Sequence, residues 1–444
     1  MPKPTTLFRC DKCDAQFPKW QGRCPECGAW GSIAQQELAA KQAKRSKPLG
    51  APATVVSLNA IAHDHVKRIP TGIAEIDRVL GGGIVPGGVY LVGGDPGVGK
   101  STLLLHVADS VKLPTVYFSG EESADQVKTR VDRLGVALAS MGFAAETDCS
   151  TILSTIEAQH PALVIIDSLQ TLRDATLEQE AGSVTQLKAV TAQLVEQAKQ
   201  SGCAMFIVSH VTKSGKVSGP KTVEHLVDAV LYVEGDQYHN HRIVRSVKNR
   251  FGSVDEIGVF TIDEKGFHEA VNPSQAFLSE HSRQVPGTVI TPVVEGSRVF
   301  FVEYQALVSR THFGYPVRKS VGFDQNRLQM LLAVLVKRLK LPLDQYDVHL
   351  NVAGGLRLQE PACDLAAVVA VVSAFKNIAI PKSAAVFGEV GLGGEVRPVA
   401  FSEKRVKEAK KLGYTAIVCP QMDGVGQMQA VATIQDSLLA LGMR

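Results

Sequence analysis

One stretch limits the folds open to this chain more than any other: Gly93-Gly94-Asp95-Pro96-Gly97-Val98-Gly99-Lys100-Ser101-Thr102. Gly94 to Ser101 satisfies G-x-x-x-x-G-K-[ST] at every fixed place. The apolar run Val89-Tyr90-Leu91-Val92 precedes it and Leu103-Leu104-Leu105 follows, so strand, loop and helix come in the order a phosphate-binding loop needs. A glycine-rich turn matching by chance would lack these flanks. The glycines let backbone N–H groups turn inward around a phosphate, and the new helix adds its positive N-terminal end. Gly94, Asp95, Pro96, Gly97, Val98, Gly99, Lys100, Ser101 and Thr102 are therefore expected to hold the phosphates of a nucleotide, with Lys100 on the β- and γ-phosphates and Ser101 on Mg2+.

Downstream, apolar segments recur at 115–118, 163–166, 204–208 and 229–233, with helical stretches between them. That alternation predicts an α/β domain with a largely parallel sheet covered on both faces. Leu163-Val164-Ile165-Ile166-Asp167 is an apolar strand closing on a carboxylate. Alone, Asp167 would read as a helix N-cap; behind a phosphate-binding loop it reads as a second Mg2+ partner. Ser119-Gly120-Glu121-Glu122-Ser123 follows another strand, where a carboxylate can polarise the water that attacks the γ-phosphate. One of Glu121 and Glu122 is expected to be this base and the other a first-turn acid favoured by the helix dipole, and the sequence does not choose. Ser209-His210 closes the 204–208 segment, as a γ-phosphate sensor or as a plain edge pair. The loop 211–223 carries Lys213, Lys216 and Lys221 among Ser and Gly, which suits DNA phosphates or simple solvation.

At 444 residues the chain exceeds one ordinary core, and a prior of about 150 residues per domain predicts about two or three. No apolar run approaches the roughly 18 residues a membrane span needs, and the N-terminus has no apolar signal segment, so a cytoplasmic location is expected. A net charge of +3 is too small to imply nucleic-acid binding without local clustering of Lys and Arg. Four of the eight cysteines form Cys10-x-x-Cys13 and Cys24-x-x-Cys27, two knuckles ten residues apart that offer four thiolates to a structural Zn2+. Four thiolates leave no open position for catalysis, and Trp20 and Trp30 are expected to cover a module too small for its own core. Cys149, Cys203, Cys363 and Cys419 lie in apolar surroundings and read as buried thiols. The stretch containing Lys44-Arg45-Ser46-Lys47-Pro48 reads as a basic linker.

With these residues assembled, the chain resembles the RadA/Sms family of bacterial DNA-repair proteins, relatives of RecA and of the replicative helicase DnaB. The resemblance is carried by the cysteine module, the region from Gly81 to Thr102, Glu121-Glu122, Asp167 and Lys248-Asn249-Arg250-Phe251-Gly252, which is similar to that family's KNRFG signature. Read without the family, the last run is a basic turn between two strands. The resemblance implies that Lys248 and Arg250 reach a neighbouring subunit's γ-phosphate as an arginine finger does. From about Ser279 the sequence resembles a Lon-protease-type domain, through Asp347-Val348-His349-Leu350-Asn351-Val352-Ala353-Gly354-Gly355, Glu360-Pro361-Ala362-Cys363-Asp364 and Phe387-Gly388-Glu389-Val390-Gly391. It departs from Lon at the catalytic dyad: Ala362 follows Pro361 where a serine belongs, and Glu403 aligns with the lysine. Cys363 reads as a packed thiol, so proteolysis is disfavoured and the domain is expected to be a scaffold. Arg310, Arg318, Lys319 and Arg327 cluster near its start, as a DNA path or as solvated charge.

The expected architecture is a four-cysteine zinc module at 1–34, a basic linker at 35–55, a RecA-like P-loop ATPase domain at 56–275 and an inactive Lon-protease-like α/β domain at 276–444. The resemblance implies a DNA-dependent ATPase assembled as a homo-oligomeric, hexameric ring. Such a ring would move on single-stranded and branched DNA and promote branch migration in homologous recombination and repair, beside a RecA-type recombinase. An ATP-switched clamp or adaptor for that recombinase is the alternative, and an ATP-dependent protease comes third.

Overall fold

The computed structural model describes residues 6–12, 15–17, 19–37, 57, 67–137, 139–210, 220–235, 241–254, 256–270, 278, 285–311, 314–355, 358, 360–422 and 428–443. The chain divides into two units, residues 1–66 and 67–444. In the first, β1 (Thr6–Cys10) pairs antiparallel with both β2 (Gln16–Phe17) and β3 (Ile33–Glu37). Its core is Cys10, Cys24 and Ile33, with Phe8, Ala15 and Phe17 against them. So little apolar burial cannot hold a fold by itself, which leaves stability to the cysteine cluster. The tryptophans do not form the expected cover: Trp20 is 61% and Trp30 77% exposed. Polar contacts hold each ring at the surface instead, Trp20 donating its indole N–H to Ile33 O at 3.0 Å and Trp30 lying under the Arg23 guanidinium at 5.9 Å.

In the second unit, apolar runs of five or six residues form β4 (Val89–Gly94), β5 (Thr115–Ser119), β7 (Leu163–Asp167), β8 (Ala204–Val208) and β9 (Ala229–Glu234). With β6 (Met141–Ala145), β10 (His241–Asn249), β11 (Ile257–Asp263) and β12 (Gly266–Glu269) they make one sheet ordered β12-β11-β10-β9-β4-β8-β7-β5-β6. The strands from β9 to β6 are parallel, and β10, β11 and β12 extend the sheet antiparallel. Side chains alternate between two cores, as a sheet buried on both faces requires. Tyr90 and Val92 pack with α1 (Ala74–Leu80), α2 (Lys100–Val111) and α3 (Ala124–Leu134), whereas Val89 and Leu91 pack with α4 (Cys149–Gln159) and α5 (Val184–Ser201).

The C-terminal part builds a sheet ordered β13-β14-β16-β15 from β13 (Thr288–Glu295), β14 (Arg298–Arg310), β15 (Arg318–Val321) and β16 (Tyr346–Val352). It packs on α6 (Gln325–Leu339) and α7 (Asp364–Lys376), the latter buried from Asp364 to Ser373. Beyond lie β17 (Ala384–Val386), the hairpin β18 (Glu389–Val390) and β19 (Val396–Arg397), α8 (Ser402–Lys411), β20 (Ala416–Pro420), β21 (Gln429–Val431) and α9 (Ile434–Ala440). This core reaches into the ATPase sheet through Ile243, Ile257 and Val259. At the β13–β14 turn, Arg298 Nη1 donates to both carboxylate oxygens of Glu75 at 2.8 Å, and Arg245 Nη1 donates to Glu295 Oε2 at 2.5 Å. Among the described residues no helix is long and apolar enough to cross a membrane.

Candidate functional site

The phosphate-binding loop leaves β4 at its carboxyl end and enters α2 at Lys100, the sheet edge where open α/β folds place their ligands. Gly94 has φ 148°, and a Cβ there would stand 2.5 Å from Val233 O, so only glycine lets the loop run this close to β9. Lys100 is 4% exposed, and its Nζ donates to Gly94 O at 2.8 Å and Asp95 O at 3.0 Å, both carbonyls of its own loop. Burial lowers its pKa, opposed by the charges of Asp167, Asp95 and Glu121. A buried ammonium inside a glycine-shaped backbone cradle fits the polyphosphate of ATP.

Asp167 ends β7 across from Ser119 of β5, so it and the Glu121-Glu122 pair share one end of the sheet. It is 8% exposed and accepts a hydrogen bond from Tyr117 Oη at 2.6 Å. The structure separates the two glutamates. Glu122 pairs with Arg130 of α3, and its N–H donates to Ser119 Oγ at 2.9 Å. Glu121 turns toward the strand ends, where Ser168 Oγ donates to its Oε1 at 2.6 Å and His210 Nε2 lies 3.5 Å from the same oxygen. Gln170 Nε2 donates to Ser209 Oγ at 2.9 Å and His210 O at 3.3 Å, completing a polar network across β5, β7 and β8. Sequence reasoning passed over Tyr117, Ser168 and Gln170. Only Tyr117, a phenol between Val116 and Phe118 in a buried strand, carried a visible signal.

Lys248 and Asn249 close β10, and Arg250-Phe251-Gly252 turns toward β11. Asn249 pairs with Ala229, which pairs with Tyr90, so the run sits at the start of β4 while the phosphate loop leaves from its end. From Val89 to Gly94 that separation is about 16 Å. Lys248 Nζ donates to Glu224 O at 2.7 Å and Val227 O at 2.8 Å, and burial lowers its pKa. Asn249 Nδ2 donates to Val79 O at 3.3 Å, Phe251 packs 5.9 Å from Tyr90, and a Cβ on Gly252 would stand 3.0 Å from Gly81 Cα. Four residues of the signature therefore shape the turn, and Arg250, its side chain 60% exposed, points out of it. Neither Lys248 nor Arg250 is brought to the chain's own phosphate loop.

The sulfurs of Cys10, Cys24 and Cys27 lie within 4.8 Å of one another, and Cys13 is outside the described residues. Cys10 Sγ is 3.7 Å from Cys27 Sγ, close to the roughly 3.8 Å expected of two thiolates on one tetrahedral zinc. Of the candidate DNA contacts, Lys213 and Lys216 are outside the described residues and Lys221 is exposed. Arg310 and Arg318 flank β16 at Tyr346 and Val348, with exposed Lys319 beside them. Arg327 is engaged differently: its Nε donates to Asp364 Oδ1 at 2.9 Å, its Nη2 bonds the other carboxylate oxygen, and Asp364 is 1% exposed. Cys363 is fully buried, its thiol pKa pushed up to about 12 by desolvation, and Glu403 is exposed on α8.

Family profiles match three stretches: a rubredoxin metal binding domain at 8–35, an AAA domain at 58–216 and the subunit ChlI of Mg-chelatase at 314–423. Among similar proteins, the DNA repair protein RadA of Halalkalibacterium halodurans is 44% identical over 451 residues, covering 99% of both chains. That of Bacillus subtilis is 43% identical over 453 residues, covering 100% of this chain and 99% of the relative. That of Pseudomonas aeruginosa is 44% identical over 424 residues, covering 95% of this chain and 94% of the relative. Identity at this level, sustained from the cysteine cluster to the last helix, makes the chain a member of the RadA family of DNA repair proteins.

Proposed function

We propose that the chain is a DNA-dependent ATPase that works as a homo-oligomeric ring, with each site closed by the neighbouring subunit. Its hydrolysis drives movement along single-stranded and branched DNA, and so branch migration beside a RecA-type recombinase in the cytoplasm. The observation that carries this reading is the placement of exposed Arg250 at the opposite sheet edge from its own phosphate loop.

In the working site Lys100 exchanges the carbonyls of Gly94 and Asp95 for the β- and γ-phosphates of ATP. Ser101 and Asp167 would hold Mg2+, which supplies neutralising charge to those phosphates. Tyr117 fixes the rotamer of Asp167 through its hydrogen bond. Glu121 takes the proton of the attacking water, its Oε1 oriented by Ser168, while Glu122 stays paired to Arg130. Arg250 from the next subunit stabilises charge developing on the γ-phosphate, and Lys248 braces the turn that presents it. His210 and Gln170 relay the state of this network to the 211–223 segment, where Lys213, Lys216 and Lys221 meet DNA, with Arg310, Arg318 and Lys319 extending the path. The 276–444 domain is a scaffold without peptidase activity, since its buried Cys363 lacks the thiolate character a nucleophile needs.

The test is ATP turnover and strand displacement with and without single-stranded DNA. Stimulation and displacement support the motor; slow turnover without either leaves an ATP-switched clamp. Arg250→Ala should lower kcat by about 10³ while ATP still binds, and mixing it with Lys100→Ala chains should restore turnover at the mixed interfaces.

A further inference from the structure

Asp228 stands immediately before β9 and is 4% exposed, a place where a carboxylate persists only if it is paired. Three separate segments converge on it. The N–H of Val89, at the start of β4, donates to Oδ2 at 3.0 Å, and Lys199 Nζ, from the last turn of α5, donates to the same oxygen at 2.6 Å. Arg250 Nη1 lies 3.7 Å from the other oxygen, and the Arg250 N–H donates to Asp228 O at 3.0 Å. The closer cation, Lys199, balances the carboxylate's charge, so the looser contact steers the Arg250 guanidinium without capturing it. The same carboxylate is fastened to the strand whose far end is the chain's own phosphate loop.

Building on the reading that Arg250 serves the neighbouring subunit, we propose that Asp228 is the positioning residue for that guanidinium. It sets the direction in which Arg250 leaves the turn, and through Val89 it ties that direction to β4. Movement of β4 as its own loop engages ATP would therefore re-aim the arginine presented to the next site.

The experiment uses full-length Asp228→Asn, which keeps an oxygen for Val89 and removes the charge. Its kcat is expected to fall about ten- to hundred-fold with the KM for ATP and the Tm nearly unchanged, and Asp228→Glu should recover part of the rate. Mixed rings then separate the explanations. A Lys100→Ala chain has a dead loop but an intact arginine, so it should revive Asp228→Asn chains as it revives Arg250→Ala chains. Revival of Arg250→Ala but not of Asp228→Asn would overturn the proposal while leaving the shared site intact. Revival of neither would remove the shared site and this inference with it. An unchanged kcat in Asp228→Asn would also overturn it. Should that variant prove insoluble, Asp228→Ser, whose hydroxyl can still accept from Val89, is read by the same mixing.

Discussion

Glu121 and Glu122 are neighbours in sequence and strangers in chemistry. Arg130, eight residues on, takes Glu122, while Ser168 and His210, from two other strand ends, surround Glu121. Glu121→Gln is expected to cut turnover at least about hundredfold while ATP binding persists, and Glu122→Gln should cost only a few-fold, as steady-state rates and nucleotide titrations will show. The partly exposed Glu122–Arg130 pair should add less than about 1 kcal/mol to stability. Nothing in the local sequence could have made this choice, because adjacent carboxylates after a strand differ only in what reaches them from elsewhere in the fold. By contrast Lys100 and Asp167 were legible, since a fixed spacing and a strand end specify them without tertiary knowledge. Cys363 was legible too, by the apolar helix that follows it. Cys363→Ser should leave ATP turnover unaltered, and peptide-cleavage assays of either form should be silent.

At the scale of elements, the parallel strands were readable because burial on both faces makes them continuous apolar runs. The antiparallel extension β10 to β12 was not: its strands mix charge with apolar residues, because one part covers the C-terminal core and another meets the phosphate loop. The KNRFG run shows what a motif hides. Read as chemistry it is two cations; in the fold, four of its five residues hold a turn and one is presented. The glycine of the phosphate loop is equally constrained. Gly94→Ala should abolish ATP binding by forcing a methyl against Val233 O, with a titration of a fluorescent nucleotide as the readout. For the cysteine unit, a chelator should strip the metal and thereby unfold β1 to β3, with the released zinc as the readout, while nucleotide binding at Lys100 persists.

Across the whole molecule, the Glu75–Arg298 pair joins α1 of the ATPase part to the β13–β14 turn. Glu75 is 6% exposed, so Arg298→Met leaves a buried carboxylate held by the Val259 N–H and by the longer 3.9 Å contact with Arg78, and should cost up to about 3 kcal/mol, seen as a lower Tm. If the two sheets work together, the same change should also weaken stimulation of ATP turnover by DNA more than it weakens the basal rate. No spacing in the sequence foretold this link, since its partners lie more than two hundred residues apart.

The surface tryptophans have a practical consequence of a different kind. The chain contains two, Trp20 and Trp30, and both belong to the small cysteine unit. Intrinsic indole emission is thus a private reporter of that unit, sensitive to metal loss or to a ligand settling over its exposed rings. Nucleotide exchange within residues 67–444 will be optically silent at those wavelengths unless its effects travel to the N-terminal end.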